Sequence, residues 1–226
     1  MKKLMVYGLS VMFIAGSVAS CKKSSKGKIS NEWTVSAWEQ TTTEKTTTGG
    51  STDTEVSTVK IDGTTVTVTS STNGVADDPQ TGTVNALTYT ISKDGTWSSV
   101  MDVTFKTTFD VGGTTFTYTT NQKMENSGTW DFLNGVSKDF KKNERVVFNT
   151  LSAKTTTNNS SNIPGDSPST DVDSETFAEG ENSMIYVIVE SKKKELQLSS
   201  EENNSYTTDG YTSTNVGSTT MTLIQP

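Results

Sequence analysis

The chain has 226 residues, 19 basic and 26 acidic side chains, and no histidine. The acidic balance argues against a nucleic-acid partner, because phosphates need a basic footprint, and Arg145 is the sole arginine. Without histidine the usual general base, the usual partner of a catalytic serine and the commonest metal ligand are all missing, so the expectation is a non-enzymatic protein without metal or cofactor, although carboxylate or lysine chemistry stays open.

Residues 1–20 begin with Lys2 and Lys3, continue as a mostly apolar run and end in Val18-Ala19-Ser20 before Cys21, the chain's one cysteine. A charged start, an apolar stretch of roughly 7–15 residues and small residues before a cut are the layout of a secretory signal. A transmembrane helix is the rival reading, but it needs about 20 apolar residues, and this run is shorter. The cysteine at the cut resembles the lipobox of bacterial lipoproteins. That resemblance implies lipidation of Cys21 and attachment to the membrane by more than one acyl chain, which anchors stably where one chain does not. The mature chain then carries 17 basic and 26 acidic residues, a net charge of −9. With Cys21 lipidated no disulfide is available, so packing and backbone hydrogen bonds must hold the fold.

Residues 21–28 read as a lipidated tether. Lys22, Lys23, Lys26 and Lys28 in it either lie against anionic headgroups or form a solvated linker. From Ile29 to the end the dominant period is two. Leu87, Tyr89 and Ile91 alternate with Thr88, Thr90 and Ser92; Trp97, Met101, Val103 and Phe105 fall on one parity. This is an antiparallel sheet with one apolar and one wet face, and threonine suits its pleated surface. Asp62-Gly63, Asn73-Gly74, Asp94-Gly95, Gly112-Gly113, Asn134-Gly135 and Asp209-Gly210 supply hairpin turns. The expectation is an all-β, up-and-down meander of about 8–10 strands that closes into a barrel or folds into a sandwich, with a helical turn or loop over 137–144.

Two segments read as irregular. Residues 41–53, rich in threonine and glycine, suggest a long loop or the frayed middle of a strand pair. Residues 155–183 contain Pro164 and Pro168 and read as an acidic loop insertion. Within it Asp171, Asp173 and Glu175 stand two residues apart, as hard cations favour, but Thr176 occupies the place where a calcium loop wants glycine, so a solvated acidic loop is the preferred reading. Lys192-Lys193-Lys194 reads as a soluble hairpin turn, with contact to a membrane or a polyanion as the alternative. Lys138, Lys141, Lys142 and Arg145 form a second basic group, expected to pair with Asp139 and Glu144. There is no Gly-x-Ser-x-Gly and no phosphate loop.

The stretches Ile29 to Trp33, Tyr89 to Trp97 and Gly128 to Phe132, in that order, resemble the lipocalin-like lipoproteins of the Bacteroidota. Ile29-Ser30-Asn31-Glu32-Trp33 resembles their first strand, with Asn31 in place of a glycine. Tyr89 to Trp97 resembles their central hairpin, and Gly128-Thr129-Trp130-Asp131-Phe132 the strand after it. The resemblance covers most of residues 29–226 and implies an up-and-down barrel of about eight strands able to hold one small ligand. Trp33, Tyr89, Trp97, Phe105, Phe116, Trp130 and Phe132 are then the candidate inner-face residues. They either line a cavity for a small apolar ligand or fill the barrel themselves. The functional expectation is an outer-membrane lipoprotein of the cell envelope that binds such a ligand. The alternative is a filled barrel that docks an envelope protein through loops such as 155–183. The absence of acidic residues just after Cys21 favours the periplasmic face.

Overall fold

A computed structural model describes residues 25–133 and 144–226. The signal segment, Cys21 and the stretch 134–143, including Asn134-Gly135 and nearly all of the expected turn over 137–144, lie outside the described residues. A five-residue helix, α1 (Ser25–Ile29), leads into twelve strands. These are β1 (Asn31–Thr48), β2 (Ser51–Asp62), β3 (Thr65–Thr72), β4 (Val75–Ala76), β5 (Gln80–Ile91), β6 (Thr96–Val111), β7 (Thr114–Phe132), β8 (Arg145–Ser161), β9 (Ser169–Thr176), β10 (Ser183–Ser191), β11 (Glu195–Thr208) and β12 (Tyr211–Ile224). Every pairing is antiparallel, and β10 closes the sheet by bonding to both β11 and β8. The result is an up-and-down barrel of ten strands, with β4 and β9 paired outside the ring.

The ring changes size along its axis. At its base β1 bonds directly to β5, Asn31 facing Ile91 and Thr34 facing Thr88. Higher up, β2 and β3 wedge between them. Two bulges flank this fork: one between Val35 and Ala37 on β1, one between Val84 and Ala86 on β5. The carbonyl of Ser36, inside the first bulge, accepts the N–H of Gly63 from the β2–β3 turn, and the Val84 N–H donates to the Thr64 carbonyl. A bulge bends its strand and increases local twist. Here the two bends make room for the extra pair of strands, so an eight-strand base widens to ten.

The predicted parity holds from Leu87 to Val103, with Leu87, Ile91, Trp97 and Val103 buried; Val84, beyond the β5 bulge, is buried on the opposite parity. The core gathers around the base, from Ile29 and Trp33 through Val146 and Phe148 to Leu196, Leu198, Met221 and Leu223. Beyond it the hairpins continue. From the half-buried Trp38 to Thr48 β1 adds ten residues, roughly 30 Å of strand.

Residues 41–53, expected to be irregular, are the regular end of the β1–β2 hairpin, turned by Gly49 and Gly50, both at positive φ. Threonine stands on both faces there, so no hydrophobic period shows; cross-strand hydroxyl pairs such as Thr41–Thr58 (3.1 Å) and Thr47–Thr52 (2.9 Å) tie the strands instead. Residues 155–183 are likewise not a structureless insertion. β8 runs on to Ser161, and β9 returns against it with Thr155 facing Asp173 and Thr157 facing Asp171. Every residue of β9 is exposed, so burial imposes no apolar alternation.

Candidate functional site

Six of the seven aromatic residues predicted for the inner face come together at the base. Trp33, Trp97 and Trp130 are buried; Tyr89, Phe105 and Phe132 pack against that core. Phe116 does not join them. It lies far out on the β6–β7 hairpin, where its ring meets Phe109 at 5.8 Å, and Phe109 remains 43% exposed. Its parity is inward, but the hairpin has by then left the core.

The core rings touch in series. Tyr89 stacks on Trp97 at 6.1 Å, Trp97 meets Phe148 edge-on at 5.4 Å, and Phe148 meets Tyr186 edge-on at 5.9 Å. Trp130 meets Phe132 edge-on at 5.7 Å. Edge-on and offset contacts are the favourable arrangements of aromatic quadrupoles. The three indole N–H groups have backbone partners. Trp33 donates to the Ile29 carbonyl (2.8 Å), Trp97 to that of Asn149 (3.1 Å) and Trp130 to that of Ser92 (2.8 Å). Each tryptophan thus fastens its strand to a neighbouring element: β1 to α1, β6 to β8, β7 to the β5–β6 turn. Burial pushes the hydroxyls of Tyr186 and Tyr89 up from their ordinary value; for Tyr89 a hydrogen bond with Ser99 opposes the shift. Both rings therefore stay neutral well into alkaline solution.

Trp38, Phe148 and Tyr186 belong to the same cluster but were not among the predicted residues. The alternation Val146, Phe148 and Tyr186, Ile188 carries a signal for two of them. Trp38 carries none, because it stands on the opposite parity from Trp33 and Val35. The bulge at Ser36 reverses that parity and turns Trp38 inward.

Five open hollows on the described surface are lined by none of the seven predicted aromatics. Two of them flank a seam in the wall. β10 bonds to β11 only from Val187 down, and its upper half crosses to β8. Residues 200–208 of β11 are therefore paired only to β12 among the described residues. Met184 and Ile185 of β10 and Glu201 and Glu202 of β11 line the opening.

Asp171, Asp173 and Glu175 share one face of β9, spaced about 7 Å per step along an exposed strand. No group of three or more acidic or cysteine side chains among the described residues is placed to hold a metal ion, and no described helix is long and apolar enough to cross a membrane. Comparison with protein-family models, with curated proteins and with solved structures finds no match to this chain.

Proposed function

We propose that the protein is a non-enzymatic lipoprotein of the cell envelope, held by lipid on Cys21 to the periplasmic face of the outer membrane. Its barrel is a filled scaffold that carries long hairpins toward a protein partner. The observation that carries this reading is the state of the tryptophans. A ligand site needs apolar walls around free volume and a few polar groups left to orient the guest. Here the rings that would form the walls touch one another, and their indole N–H groups are bonded to the protein's own backbone.

The partner surface is the unpaired edge of β11 with the hairpin ends beside it. An open strand edge is a template for pairing with another chain, and Tyr206 (63% exposed) stands on this one. The small-apolar-ligand reading is the competitor, and one experiment separates the two. The full chain is extracted gently from its native membranes and weighed by native mass spectrometry. The scaffold reading expects a mass accounted for by polypeptide and Cys21 lipid alone. A co-purifying small molecule, retained by wild type and lost from a folded Trp97→Ala variant, would overturn it in favour of a ligand cavity.

A further inference from the structure

The base of the barrel, where the chain enters, has a second character besides its aromatic filling. Two adjoining hollows, about 520 and 270 Å³, share Asn31 and Gln225. Around them stand Lys28 in α1, Lys93 in the β5–β6 turn, and Lys192 and Lys193 in the β10–β11 turn, which also holds Lys194. The sequence separates these lysines by as much as 166 positions; only barrel closure places them at one end.

They are presented on fixed turns. The Trp130 indole grips the Ser92 carbonyl next to Lys93. The Lys192 N–H donates to the Glu195 carbonyl, and the Gln225 N–H to that of Lys194. Lys192 is neutralised by Glu190 at 2.9 Å, with Glu195 at 4.0 Å. Lys28, Lys93, Lys193 and Lys194 are in no salt bridge among the described residues. Glu32, Asp94, Asp131 and Glu144 stand at the same end, so the base carries both signs of charge; Asp94 accepts hydrogen bonds from the N–H and hydroxyl of Thr96.

The far end is predominantly acidic. Asp53, Asp77, Asp110, Asp166, Asp171 and Asp209 sit at or near the hairpin ends. Asp53, Asp77, Asp110 and Asp166 accept hydrogen bonds from neutral Asn73, Ser70, Thr115 and Ser161 and are in no salt bridge among the described residues. A body whose acids are concentrated at one end, with unbridged lysines gathered at the other, orients in the field of an anionic surface.

We infer that the base is a membrane-docking surface, with Lys28, Lys93, Lys193 and Lys194 on the phosphates of anionic phospholipid headgroups and the acidic hairpins held away from the bilayer. The inference rests on the reading of Cys21 as lipid anchor, since a chain tethered there arrives base first. It adds an orientation that the tether alone does not supply.

The test is amine footprinting of the full chain in two kinds of vesicle, phosphatidylcholine alone and phosphatidylcholine mixed with phosphatidylglycerol. A water-soluble amine-reactive ester marks accessible lysines, and mass spectrometry reads each site. Lys93, Lys193 and Lys194 should lose at least about threefold of their labelling in the anionic vesicles. The loss should reverse in 1 M salt, where screening shortens to about 3 Å. Lys45, Lys106 and Lys154, away from the base, serve as controls and should not change. Equal labelling of the basal lysines in both vesicles would overturn the inference, as would equal protection of the distal ones. The peptide containing Cys21 is weighed in the same digest. If it carries no lipid, the tether reading falls by itself, and protection is then measured on chain added to the same vesicles from outside.

Discussion

Gly128 stands where the backbone of β8 passes close against β7, and replacing it by alanine should break the barrel at its base. A Cβ built there lies 1.8 Å from the Asn149 carbonyl oxygen and 2.9 Å from both the Asn149 carbonyl carbon and the Leu151 nitrogen. All three are backbone atoms of β8, so no side chain can swing aside. An ordinary carbon–oxygen contact is about 3.3 Å, so β8 must retreat by roughly 1.5 Å. Overpacking of this kind costs about 1–3 kcal/mol. The displaced oxygen is also the acceptor of the Trp97 indole. A buried donor left unpaired adds about 1–3 kcal/mol. The expected loss is therefore about 2–6 kcal/mol, a large part of the roughly 5–15 kcal/mol that holds an ordinary domain. Gly217 on β12 is the internal control. Its added Cβ would meet Glu202 and Thr41 at 3.6–3.8 Å, ordinary contact distances. Gly217→Ala should be neutral, or stabilising by about 0.4–1 kcal/mol through the unfolded chain. Urea unfolding followed by tryptophan fluorescence reports both, since three tryptophans are buried in the core. A Gly128→Ala midpoint equal to wild type would refute the close-approach argument, and so would equal losses for the two alanines.

Stability should fall in alkali, with the sign set by the two buried tyrosines. Their hydroxyls ionise above the ordinary value of 10.0 when folded but near it when unfolded. Their contribution is thus complete below about pH 10 and lost as pH rises further, at up to about 1.4 kcal/mol per pH unit for each ring. Urea midpoints for wild type and Tyr186→Phe should diverge above pH 10, with the variant's slope about halved; parallel slopes would sink the assignment. Trp130→Phe removes the indole bond to Ser92 and leaves a small void, so a loss of about 1–3 kcal/mol in the same assay is expected. A fully stable Trp130→Phe variant would mean that the hydrogen bond does not hold the β5–β6 turn. Neutralising the β9 acids together, as Asp171→Asn, Asp173→Asn and Glu175→Gln, should shift stability by no more than about 0.5 kcal/mol. These side chains are exposed, and a calcium titration followed by calorimetry should show no heat of binding.

The fold class was legible in the chain because a half-buried strand writes itself as alternation. Leu87, Ile91, Trp97 and Val103 announced β5 and β6 and their buried face, and the described Asp-Gly, Asn-Gly and Gly-Gly pairs are hairpin turns with glycine at positive φ. Where both faces meet water the signal vanished. The ends of β1 and β2 carry threonine on both sides, and β9 carries acids, serine and threonine in the open, so paired strands read as loops.

Sequence alone therefore determined an antiparallel, glycine-turned β meander and most of the aromatic residues of its core, because burial on one face constrains residue type at every second position. Three things waited for the tertiary structure. The bulge at Ser36 turned Trp38 inward, since one extra residue inverts the parity of all that follows. The departure of the β6–β7 hairpin from the core left Phe116 outside the buried cluster, its ring against Phe109, because correct parity alone does not bring a residue to the core. Closure of β10 onto β8 and β11 gathered Lys28, Lys93 and the lysines of the β10–β11 turn at one end, a proximity that depends on pairing between distant strands and that no local pattern can encode.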